Sequence, residues 1–88
     1  MRELMLKEKE ELHQKGLLFR SEIEGVSDLI WSTALSSVSG DKEIVKKWFY
    51  DKIPFLNDKI PVDVIRNENN GDEIIFDLLL RIRYGVPG

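Results

Sequence analysis

The chain has 88 residues, no cysteine, 33% charged residues and a net charge of −3. That composition excludes a disulfide-stapled scaffold and a thiolate metal site, and its acidic balance argues against a surface that tracks nucleic-acid phosphates. The length fits one domain of modest stability unless it associates. The N-terminal MRELMLKEKEEL lacks an apolar signal core and no stretch reaches the length of a membrane span, so a cytoplasmic location is expected.

Residues 2–15 read as a charged helix, with Glu3–Lys7 and Glu11–Lys15 in the favourable acid-before-base order at i, i+4. Leu4, Met5 and Leu12 give it a thin apolar edge, which suggests a solvated arm ended by Gly16. Ser21 and Glu24 have capping-box spacing. Val26, Ile30, Trp31, Ala34, Leu35 and Val38 then recur with the period of a core helix, although Gly25 leaves open a start nearer Ser27. The SSVSGD run breaks the chain, with Ser39 or Asp41 as candidate N-cap of the next helix. In that helix Ile44, Val45, Trp48, Phe49 and Ile53 share a face opposed by Lys42, Lys46 and Lys47, and Pro54 closes it. Phe55 and Leu56 are expected to fold down as a lid on the core, and Asn57-Asp58 is turn chemistry. Pro61 suits the first position of a short helix carrying Val62, Val64 and Ile65, which the NENNG loop ends. The expected fold class is all-α, a small bundle of about five helices, one of them short.

The last segment, DEIIFDLLLRIRYGVPG, carries the densest pattern. At about 100° per residue, Ile74, Ile75, Leu78, Leu79 and Ile82 fall on one side. Phe76, Leu80 and Tyr84 continue the apolar arc around most of the cylinder and leave only Asp77 and Arg81 as a polar strip. A helix so apolar is covered on more than one side, either as a central core helix or by core on one face and a second chain on the other. Gly85 is placed as a left-handed C-cap, Pro87 prevents continuation, and Arg81 and Arg83 suit the carbonyl end. Val86 to Gly88 are then expected to form a short tail, either a frayed end or one whose carboxylate probes a partner's pocket.

No catalytic constellation emerges, and the chain reads as a non-enzyme without cofactor or metal. His13, the sole histidine, sits in the charged arm with no second ligand at i+4. Ser36, Ser37 and Ser39 have no histidine placed to activate them and suit helix ends. Lys42, Lys46 and Lys47 are interrupted by Glu43, which fits a solvated face better than a DNA-recognition helix.

The ordered set Ala34, Leu35, Val38, Gly40, Asp41, Val45, Trp48 and Phe49, followed by IPFL, KIPVDVI, the Gly71 loop and LLLRIRYG, resembles the Xre/MbcA/ParS toxin-binding domain. Residues 34–88 carry the resemblance, and residues 1–33 would be an N-terminal helical arm and the start of a core helix. Phe49 stands where the family usually has leucine, and Asn57-Asp58 where it often has a glycine pair. Residues 1–33 are too short and acidic for the helix-turn-helix domain that often precedes this module, so DNA binding is not carried over. The resemblance implies an antitoxin, with a possible homodimer, whose partner is a RES-type toxin that consumes NAD or transfers ADP-ribose. The C-terminal helix and tail would plug the toxin's NAD site through Phe76, Leu80, Arg81, Arg83, Tyr84, Gly85, Val86, Pro87 and Gly88. The alternatives are a small dimeric DNA-binding regulator and a homo-oligomeric structural module.

Overall fold

In the computed structural model, which describes residues 2–85, the chain forms α1 (Arg2–Gln14), α2 (Asp28–Ser37), α3 (Lys42–Tyr50), α4 (Pro61–Asn67) and α5 (Gly71–Tyr84). A 3-10 turn at Pro54–Leu56 joins α3 to α4, and the described residues contain no strand, only an isolated antiparallel bridge between Ile53 and Lys59. The all-α bundle is the fold the apolar periodicities require. α5 packs against both α2 and α4, α1 lies on α2, and α3 touches α2 and α4. No helix of the described residues is long and apolar enough to cross a membrane.

Local chemistry sets most helix ends. Asp41 accepts hydrogen bonds from the N–H groups of Glu43 and Ile44, so it rather than Ser39 caps α3. Ser39 instead adopts a left-handed φ of 57° in the turn before it. Ser27 caps α2 by accepting from Ile30 N–H. The expected Ser21–Glu24 box does not form: the Ser21 hydroxyl donates to the Ile23 carbonyl, and its N–H donates to Asp28. Pro61 occupies the first turn of α4. α3 ends at Tyr50, before Pro54, which opens the 3-10 turn instead. Of the expected lid only Leu56 is buried; Phe55 stays 46% exposed.

Trp31, Phe49 and Phe76 are fully buried and, with Ile30 and Ile75, form the centre of the core. Each such aromatic contributes on the order of 4 kcal/mol in gross transfer free energy. α4 and α5 approach so closely that a Cβ at Gly71 would lie 2.3 Å from the Val64 carbonyl oxygen and 2.7 Å from Ile65 Cα. Both are backbone atoms, which cannot rotate away. Elsewhere in a helix alanine is about 1 kcal/mol better than glycine; here overlap wins.

The segment between α1 and α2 has no regular structure but is tied down. Glu22 bridges to Lys42 at 2.7 Å and Lys46 at 3.2 Å, linking the segment to α3. Those two ammonium groups hold its carboxyl below its ordinary value.

Gly71→Ala is expected to destabilise the fold by about 2 kcal/mol, read as a lower urea midpoint. A neutral result would mean that α4 and α5 do not meet this closely. Because the folded Glu22 pKa is depressed, its stabilisation is full above the unfolded value and is lost as pH falls through the folded one. Amide exchange in residues 17–26, compared at matched intrinsic rate, is therefore expected to quicken below about pH 4 in the parent. In Glu22→Gln it should already be quicker at pH 7.

Candidate partner-docking site

The stretch of α5 from Phe76 to Tyr84 separates the expected apolar site residues into three groups. Phe76 is fully buried in the core, so it cannot anchor a partner, and the expectation for it is corrected. Its place on the apolar arc was right, but α2 and α4 already cover this part of the helix. Leu80 is partly buried and packs on the core. Tyr84, four residues on, is 70% exposed. The helix is thus a central core helix for most of its length and emerges only at its end.

The two arginines also have separate fates. Arg81 donates from Nε to Asp77 at 3.0 Å, and its guanidinium carbon lies 5.5 Å from the centroid of the Phe55 ring. The pair is about two-fifths exposed at each side chain, and exposed i, i+4 pairs contribute about 0.4 kcal/mol. Arg81 therefore remains on the surface with Phe55 beneath it. Arg83 turns inward. It donates to Glu8 Oε2 at 2.6 Å and to the Thr33 carbonyl at 3.2 Å, tying the end of α5 to α1 and α2 at once. Its role is internal, which corrects its assignment as a partner contact.

This clasp also corrects the reading of α1 as a solvated arm. Leu12 and Glu8 are buried, and Met5 packs on the core. Met5, Glu8 and Leu12 share a face at i−3 and i+4, so a charged residue sits inside the apolar edge. That embedded carboxylate was the available signal: a buried charge demands a buried partner.

Gly85 closes α5 with a φ of 66°, and its N–H reaches the carbonyls of Arg81 and Ile82, as a left-handed cap requires. Val86, Pro87 and Gly88 lie outside the described residues, and with them the helix-stopping proline and the tail carboxylate.

Two further residues join the exposed end. Ile82 is 47% and Ile44 51% exposed, and both border a mostly apolar cleft of about 60 Å³ between the end of α2, α3 and α5. Trp48 lines the same cleft, with its ring edge-on to Phe49 at 5.1 Å. Ile82 falls on the core side of the helical wheel, with the buried Ile75 and Leu78, yet is itself exposed at the end of the helix. On α3 itself, Lys42 and Lys46 are committed to Glu22, so the helix does not present three free lysines in a row. Ser36 and Ser37 hydroxyls donate back to the carbonyls of Ser32 and Thr33, four residues earlier. His13 is exposed at the end of α1, and the described residues hold no cluster of metal-ligating side chains.

No family model, curated protein or solved structure matches the chain.

Removing one partner of a largely buried pair leaves an uncompensated charge, whereas replacing both with apolar groups can be neutral. Glu8→Ala is expected to cost about 3 kcal/mol, while Glu8→Leu with Arg83→Met should recover most of it. Denaturant unfolding of the single and double variants gives the comparison. Additive losses would show that the two side chains do not act as a pair.

Proposed function

We propose that this chain is an antitoxin-like binding module that neutralises a RES-type toxin, one that consumes NAD or transfers ADP-ribose. It docks through the emergent end of α5, and the segment from Gly85 to Gly88 enters the toxin's NAD site. The observation that supports this reading best is the exposure of Tyr84 and Ile82 on a helix end held in place by the Arg83 clasp. Apolar side chains on a rigid element suit interface anchors, because little conformational entropy is lost when they bind. The adjoining surface offers Ile44 and Trp48 on one flank and the Arg81–Phe55 pair on the other. The resemblance of residues 34–88 to the Xre/MbcA/ParS toxin-binding domain supplies the class of partner. Inhibition would be steric, with no chemistry by this chain.

Self-association through the same exposed isoleucines is the second reading, and a sedimentation experiment at high concentration would remove it by finding a monomer.

The test is co-expression with the product of the neighbouring reading frame and measurement of cellular NAD. The full chain should preserve NAD, and a truncation ending at Tyr84 should not. Ile82→Asp, at a half-exposed position, is expected to keep helical circular dichroism and weaken the complex about a hundredfold. Preserved NAD with the truncation would remove the tail from the mechanism. No co-elution and no effect on NAD by the full chain would remove the antitoxin reading.

A further inference from the structure

A separate hollow of about 590 Å³ opens between the irregular segment after α1 and the α2–α3 pair. That volume lies within the range of small-molecule sites, which are mostly apolar with a few placed polar groups. Trp31 and Leu35 of α2 line it and are themselves almost fully buried. Leu17 and Phe19 also line it, yet are 41% and 47% exposed, an unusual placement for two large apolar side chains on a segment so firmly held.

The holding contacts make this wall a preformed one. Phe19 N–H donates to Ser32 Oγ at 2.7 Å, and the Ser32 hydroxyl donates back to the Phe19 carbonyl at 3.1 Å. Ser21 N–H is held by Asp28 at 2.8 Å, and Glu22 is spanned by Lys42 and Lys46. The wall is therefore fixed on α2 and on α3, and a ligand would not have to order it.

The charges around the hollow have one sign to spare. Its lining includes Arg20, Lys42 and Glu22. The Glu22 carboxylate is already satisfied by two ammonium groups, whereas Arg20 makes no ion pair among the described residues. A local cationic surplus beside an apolar hollow, in a chain of net charge −3, specifies its complement.

We propose that this hollow binds an amphiphilic anion, an aliphatic carboxylate. Its tail lies against the exposed Leu17 and Phe19, above the enclosed Trp31 and Leu35, and its head group pairs with Arg20. A planar guanidinium suits a carboxylate because it can donate two parallel hydrogen bonds. The site is independent of the docking end of α5, so its failure leaves that reading untouched.

Decanoate titrated into the full chain, followed by backbone amide shifts, tests the proposal. Saturable one-to-one binding is expected, with shifts concentrated in residues 17–22 and α2. Arg20→Glu, at an exposed position, should keep the helical circular dichroism and weaken binding at least about tenfold, and decanol should bind the parent about tenfold less well than decanoate, as for loss of one charge-assisted pair. The proposal is overturned by absence of saturation, by equal affinity in Arg20→Glu, or by decanol binding as tightly as decanoate. Shifts at residues 17–22 produced by a protein partner but not by decanoate would make the hollow a protein contact, and overturn it too.

Discussion

The inward turn of Arg83 organises the C-terminal end of α5. A guanidinium near the last turn of a helix normally reaches into water, where it costs nothing to solvate. Here it is four-fifths buried and satisfied by Glu8 and the Thr33 carbonyl. Such a pair adds little stability beyond what apolar residues of the same size would give, but it fixes geometry, since either group left alone would be an unpaired buried charge. With position 83 pinned toward α1 and α2, the last turn of α5 is fixed in place. Ile82 and Tyr84 on that turn stay exposed because the core does not extend to the end of the helix.

α2 supports both ends of the molecule through three consecutive residues. The Thr33 carbonyl holds Arg83, Ala34 lines the apolar cleft between α3 and α5, and Leu35 lines the hollow beneath Phe19. Ser32 beside them pins the irregular segment. α2 is buried along much of its length and is rigid for that reason, with Ile30 and Trp31 fully enclosed. The surfaces that remain open for binding are thus carried by well-packed neighbours rather than by loose loops, which is how preorganised sites avoid an ordering cost.

The features that depended on near neighbours could be read from the sequence: the apolar periodicity of α5, the Gly85 cap, Pro61 opening α4, and an all-α fold; the cap of α3 could be narrowed to Ser39 or Asp41. Features that depended on distant partners could not. The place of Glu8 between Met5 and Leu12 on the apolar edge of α1 marks it as buried, but does not show that Arg83, 75 positions away, is its partner. Periodicity showed that α5 is apolar nearly all round but not where cover ends, so Phe76 and Tyr84 looked equivalent although one is enclosed and the other open. Ser21 and Ser27 offered competing caps, and the choice fell to Ser27 because Asp28 draws the Ser21 N–H into a turn instead. Gly71 read as a loop glycine; only the packed helices show that backbone, not turn geometry, excludes a side chain there.

The most direct test of the central claim is hydrogen–deuterium exchange of the full chain, alone and with the product of the neighbouring reading frame. The account predicts new protection in the last two turns of α5, in the residues that follow it and on α3. It predicts no change in α1, whose contacts are internal. Protection confined to α1, or to residues 17–22, with α5 unchanged would contradict it.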